Sequence, residues 1–90
     1  MISVVIPCYN AATTIAATID SALGQETARE VIVVDDGSTD RSAGVIATFG
    51  DRIRGVTTTN NGVSAARTTG TRLARGDFIQ YLDSDAAYRE

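Results

Sequence analysis

The sequence predicts one α/β domain in which four strands alternate with three helices, βαβαβαβ, around a parallel sheet of order 3-2-1-4. Three observations carry this expectation. Short runs of mainly apolar β-branched or aromatic residues recur along the chain, at 2–6, 31–34 and 78–82. Between them, apolar residues return at spacings of three and four, as on one face of a helix. The junctions hold Pro, Gly, Asn and Asp, the residues of turns. Alternation of this kind is met by a parallel sheet with right-handed crossovers and helices on its faces. The default winding then places strand 1 inside, between strands 2 and 4.

Each element has its own signal. Residues 2–6 form an apolar strand that Pro7 is expected to stop. Ile15, Ile19 and Leu23, flanked by Ala12, Ala16 and Ala22, predict an amphipathic helix with Asn10 as N-cap and Gly24 as its end. The unbroken run Val31, Ile32, Val33, Val34 reads as a strand covered on both faces. The polar turn from Asp35 to Asp40 follows, with Ser38, Thr39 and Asp40 as cap candidates, then a short helix through Ala43, Ile46 and Ala47 that ends near Gly50. A weaker strand covers about 53–58, and Asn60, Asn61 and Gly62 signal a turn. Val63, Ala66, Gly70, Leu73 and Ala74 define a third helix closed by Gly76, with Gly70 allowing close approach to the sheet. The last strand, 78–82, runs directly into Asp83, Ser84 and Asp85.

Composition narrows the chemistry. Ninety residues, 43% of them hydrophobic, suffice for one core and no more. The longest apolar stretch, from Ile2 to Cys8, is too short to cross a bilayer. The sequence does not open on a charged, apolar and cleavable leader, so a cytoplasmic location is expected, with the full-length protein peripheral to the inner face of the membrane. Eight basic residues against 11 acidic give a net charge of −3, which argues against a nucleic-acid surface. All eight are Arg; the chain has no Lys, no His and a single Cys, Cys8. A zinc centre, a His-dependent triad and a catalytic Lys are thereby excluded. What remains is carboxylates, hydroxyls, Arg, backbone amides and a hard metal ion.

In a parallel sheet of this order, ligands bind beyond the carboxyl ends of the strands, where the order reverses. That point lies between strands 1 and 4. The loops carrying Pro7 to Asn10, Asp35 to Ser38, and Asp83 to Asp85 arrive there together, along with helix N-termini that favour anions. Like charges 4 Å apart repel by about 4 kcal/mol at an effective dielectric near 20. Four carboxylates on one rim therefore need compensation, and Mn²⁺ or Mg²⁺ takes such hard oxygens together with substrate phosphates. Asp36 is placed to accept a hydrogen bond from a base-ring N–H. Tyr9 is either a base contact or a partly buried core aromatic. Arg67 can reach a phosphate, pair with a rim carboxylate or stay on the surface, and Cys8 reads as inert.

Four segments in the same order, SVVIPCYN at 3–10, VIVVDDGSTD at 31–40, NGVSAAR at 61–67 and RGDFIQYLDSD at 75–85, resemble the family 2 glycosyltransferases. The resemblance implies the Rossmann-like, N-terminal half of a GT-A fold. It also implies sugar transfer from a nucleotide-diphosphate donor, a UDP-sugar favoured, usually with inversion and a divalent metal. Under it Pro7 and Tyr9 line the nucleobase pocket, Asp36 recognises the base and Asp35 supports it. Arg67 belongs to the nucleotide site, Asp83 and Ser84 lie near the ribose, and Asp83 and Asp85 hold Mn²⁺ or Mg²⁺. Thr68 stands where the family commonly has Asn, and Ala86 where a further Asp often follows.

The resemblance further implies an acceptor half and its general base beyond Glu90. Residues 1–90 are then the donor-binding half, expected to be inactive alone and to self-associate through the uncovered acceptor-side surface. A nucleotide- or metal-binding module without turnover is the alternative. A signalling receiver would need a Lys and an acidic pair after strand 1. A phosphatase with an Asp-x-Asp nucleophile would carry that motif after strand 1, whereas here it follows strand 4.

Overall fold

A computed structural model describes residues 1–25 and 29–84. Its elements are β1 (Ile2–Cys8), α1 (Ile15–Leu23), β2 (Arg29–Asp35), α2 (Ser42–Ala47), a 3₁₀ turn (Gly50–Arg52), β3 (Arg54–Thr57), α3 (Val63–Leu73) and β4 (Phe78–Tyr81). All strand pairs are parallel and the order is β3-β2-β1-β4, as the alternation predicts.

The two faces of the sheet fill separately because successive side chains point to opposite sides. On one face Val4, Ile6 and Cys8 of β1 and Val31 and Val33 of β2 pack against Ile15, Ile19 and Ala22 of α1, with Ile46 and Phe49 behind them. On the other face Ile32 and Val34 pack with Ala66 of α3. Gly70 brings α3 onto β1. A Cβ there would stand 2.3 Å from Cγ1 of the fully buried Val5, so only glycine permits this approach.

Four local expectations are corrected. Pro7 does not stop β1, which continues to Cys8 and pairs Pro7 with Val34. Leu82 N–H donates to Val5 O, so odd positions of β1 face β4. The missing N–H of Pro7 therefore falls on the β4 side, where pairing ends at Val5 opposite Tyr81, and leaves pairing with β2 intact. Asn10 is not a helix cap; it adopts a left-handed φ of 49° and α1 begins only at Ile15, after a turn closed by Thr14 N–H to Ala11 O. α3 ends at Leu73, short of Gly76, and Gly50 opens the 3₁₀ turn rather than closing α2.

Gly76 has another reason to be glycine, because a Cβ there would meet Met1 O at 2.7 Å and Ser3 N at 2.8 Å. The same corner satisfies the buried Ser3: its hydroxyl donates to Glu30 Oε1 at 2.7 Å and accepts from Gly76 N–H at 2.8 Å. Arg75 N–H also reaches Glu30 Oε1. At this amino end of the sheet Arg54 donates to Leu73 O, placing a cation at the negative C-terminus of α3. No helix among the described residues is long and apolar enough to cross a membrane.

Candidate functional site

At the opposite rim, three strands deliver the candidate residues to one cavity of about 460 Å³. Pro7 and Tyr9 come from the end of β1, Asp36 from the end of β2, and Asp83 and Ser84 from the segment after β4. Val63 and Ala66, on the first turn of α3, complete the wall. The cavity lies where the strand order reverses, as the topology requires.

Asp36 is 4% exposed and held on both oxygens. Oδ1 accepts from Asn61 N–H at 3.0 Å and from the Thr58 hydroxyl at 3.1 Å, while Oδ2 accepts from Gly62 N–H at 2.9 Å. The Asn61 amide leads in holding its carboxyl below the usual carboxylate range; burial opposes and the bonds from Gly62 and Thr58 add to the lowering. A carboxylate offers about four lone-pair positions, so three bonds leave room for one more donor. Gly37 makes the turn possible: its φ is +74°, and a Cβ would stand 2.9 Å from Asn60 N.

Asp35 does not line the cavity. It is 3% exposed, accepts from Ser38 N–H at 3.1 Å and takes Thr58 N–H on its carbonyl, which ties the β2 turn to the β3 exit. That is a supporting place next to Asp36. Arg67 does not line the cavity either; its guanidinium lies 3.3 Å from Asp83 Oδ1 at the rim, the pairing alternative among those the sequence left open. The carboxylates of this rim that are described are thus compensated by amides, hydroxyls and an Arg. Thr68 turns its hydroxyl back to Ser64 O within α3.

Tyr9 is 46% exposed at the cavity wall, so it is not a core aromatic. Cys8 is buried, and burial pushes its thiol above the ordinary value, although the Ser42 hydroxyl opposes this; such a thiol is a poor nucleophile. Ser84 is anchored through its carbonyl, which accepts from the buried Thr18 hydroxyl of α1. That anchor is a residue the sequence offered no reason to select. Asp85, the second expected metal ligand, lies outside the described residues. Among the described residues no three potential ligand side chains cluster tightly enough to hold an ion alone. Asp83 nonetheless has the right donor type, a half-exposed carboxylate at the cavity wall. It fits Mn²⁺ or Mg²⁺ bound largely by substrate phosphates.

Residues 3–90 match the glycosyl transferase family 2 profile. The chain belongs to that family. Among its relatives, an uncharacterised glycosyltransferase of Haemophilus influenzae is 42% identical over 90 residues, covering 94% of this chain and 36% of that protein. The Escherichia coli protein WfgD, a UDP-Glc:alpha-D-GlcNAc-diphosphoundecaprenol beta-1,3-glucosyltransferase, is 41% identical, covering 94% of this chain and 35% of its own length. In three dimensions the chain superposes on Staphylococcus aureus TarS 1-349 in complex with UDP-GlcNAc with a TM-score of 0.81 at 28% identity, covering 93% of this chain and 26% of TarS 1-349. The Pyrobaculum calidifontis mannosyltransferase in complex with GDP-Man and Mn²⁺ gives 0.81 and 28%, with 93% and 27% covered. This family 2 chain therefore corresponds to the N-terminal part of GT-A structures and spans about a third or less of these relatives.

Proposed function

We propose that residues 1–90 are the donor-binding half of an inverting glycosyltransferase that uses a nucleoside-diphosphate sugar, with a UDP-sugar favoured. The observation that carries this is the convergence of Tyr9, Asp36 and Asp83 from three different strand ends on one cavity at the switch point. Each has a task set by its surroundings. The exposed Tyr9 ring offers a face for a nucleobase to stack on, beside the rigid Pro7. Asp36, pre-oriented by three hydrogen bonds and ionised at neutral pH, takes a base-ring N–H on its remaining lone pair. Asp83 and Ser84 lie on the ribose and diphosphate side, with Arg67 at the rim where phosphate charge would enter.

Mn²⁺ or Mg²⁺ would be held by Asp83 and Asp85, and when bound supplies Lewis-acid stabilisation of charge on the departing diphosphate. Acceptor binding and the general base are assigned to a part of the full-length protein corresponding to the remaining length of the relatives. The 90 residues are then expected to bind donor without turnover. The partial coverage of the relatives equally accommodates a nucleotide-binding module that never turns over.

Calorimetric titration of UDP, with and without Mn²⁺, tests the reading on the wild-type chain and on the Asp36→Ala, Asp83→Asn and Asp85→Ala variants. Metal-dependent binding, weakened about tenfold or more in each variant, is the expected result, since loss of a hydrogen bond to a charged group is worth about 1.5–3 kcal/mol. Absence of UDP binding with Mn²⁺ present, or binding indifferent to all three substitutions, would overturn it.

A further inference from the structure

A lattice of hydrogen bonds joins the β1–α1 loop, whose Asn10 and Ala11 also line the cavity, to the segment after β2, most of whose members in the lattice do not. The three consecutive amides of Asn10, Ala11 and Ala12 each donate to a side chain from the segment after β2. Asn10 N–H reaches Ser38 Oγ at 2.9 Å, Ala11 N–H reaches Ser42 Oγ at 2.9 Å, and Ala12 N–H reaches Asp40 Oδ2 at 3.2 Å. In return Asn10 Oδ1 accepts from Thr39 N–H at 2.8 Å and from its hydroxyl at 3.3 Å. Asn10, at a left-handed φ of 49°, thus donates from its backbone and accepts on its side chain across the same gap.

Asp40 is the charged member and the hub. Its second oxygen, Oδ1, accepts from Ser42 N–H at 2.8 Å, so one carboxylate joins the β1–α1 loop to the first turn of α2. These bonds, led by those from Ser42, hold its carboxyl below the usual carboxylate range. Asp40 does not line the cavity. Yet the strand-end loops it fastens carry Tyr9, immediately before Asn10, and Asp36, two residues before Ser38. The sequence alone reads the Asp35 to Asp40 stretch as a turn with capping residues; the structure shows the side chains of Ser38 and Thr39 and one oxygen of Asp40 bonded across the gap.

We infer that Asp40 is a positioning residue for the nucleotide site: its ionised carboxylate sets the separation of the Tyr9 and Asp36 walls, and so the affinity for a nucleoside diphosphate. The inference rests on the donor-site reading above. It concerns a residue that touches neither base nor diphosphate.

The test is UDP titration in the presence of Mn²⁺ at a temperature where every variant is folded by circular dichroism. Wild type is compared with Asp40→Ala, Asp40→Asn, Tyr9→Ala and the Tyr9→Ala/Asp40→Ala double variant. Asp40→Ala is expected to weaken UDP about tenfold, and Asp40→Asn, which retains one acceptor oxygen, about threefold, in line with loss of charge-assisted hydrogen bonds. On the Tyr9→Ala background the Asp40→Ala effect should shrink, because coupled sites are not additive. A lower melting temperature with unchanged UDP affinity in folded Asp40→Ala would assign it a structural role only and overturn the inference. So would full additivity with Tyr9→Ala. Should Asp40→Ala not fold, unchanged affinity in Asp40→Asn overturns the inference in its place. Wild-type protein that binds no UDP would overturn the donor-site reading itself and this inference with it, an outcome distinct from the others.

Discussion

β1 and β4 lie side by side in one parallel sheet, in register from Ile2 opposite Phe78 to Val5 opposite Tyr81, and both are apolar segments. Their surroundings are opposite. Every residue of β1 from Ser3 to Cys8 is buried, whereas all four of β4 are exposed, Phe78 by 71%. The difference comes from what lies over them. α1 and α3 pack on β1 from its two faces, while β4 pairs along its β1 edge and meets α3 through a hydrogen bond between the Tyr81 and Thr71 hydroxyls at 2.6 Å, which leaves its side chains exposed. A strand's composition therefore encodes its capacity to pair, and its coverage is decided elsewhere. The site sits at the carboxyl ends of this unequal pair: one wall comes from the fixed strand and the other from the segment after the uncovered one.

The comparison can be broken most strongly in the core. Ile6→Ala removes a fully buried side chain from β1 and is expected to cost about 2–5 kcal/mol in urea unfolding. Ile79→Ala on β4, 38% exposed, should cost less, about 1 kcal/mol. Equal losses at the two positions would show that β4 is covered in solution. Next in size is Gly70→Ala, expected to cost about 1–3 kcal/mol by overpacking against Val5, although alanine is the better helix former. Thermal denaturation of Gly70→Ala, Val5→Ala and the double variant sharpens this, since the double should cost less than the sum.

The exposed Phe78, Ile79 and Tyr81, with Met1 nearby in sequence register, lead us to expect self-association. The chain should elute ahead of a monomer in size-exclusion chromatography, and Phe78→Ser with Ile79→Ser should move it back. The smallest effect is that of pH. Asp36, Asp40 and Glu30 all have carboxyls held below their ordinary values; for Glu30 burial opposes, and the bonds from Arg75 N–H and Ser3 prevail. A carboxyl lowered in the folded state contributes stability that is present above its unfolded value and lost as pH falls through the folded one. Melting temperature should thus hold steady from neutrality down to the ordinary values of 4.5 for Glu and 3.8 for Asp, then fall. For Glu30→Gln, which acts at the β1–β4 corner, that fall should be shallower.

Much of this was legible in the order of residues. Short apolar runs and spacings of three and four named all seven regular elements of the βαβαβαβ unit, and the winding rule placed their order. The loops that would share a rim were identifiable because topology brings strand ends together whatever their sequence separation. Less legible were the boundaries. Pro7 looked like a stop, because one-dimensional patterns do not say which side of a strand its N–H faces. Asn10 looked like a cap, because Asn suits both a helix start and the left-handed region. Arg67 had several possible partners until the rim geometry set its guanidinium against Asp83.

By itself, the sequence determined the fold class, the family and the kinds of group available for chemistry: carboxylates, hydroxyls and Arg, without Lys or His. The fold class and the available groups follow from local periodicity and composition, and the family from the resemblance of four short segments; all are properties of neighbouring residues. Only the tertiary structure decided that Asp36 is clamped by the entrance to α3, that Ser84 is anchored by Thr18, and that Asp40 joins two loops about 28 residues apart. Such bonds depend on where distant segments come to rest, and many polar side chains of the same kind compete for each partner. Packing chooses among them.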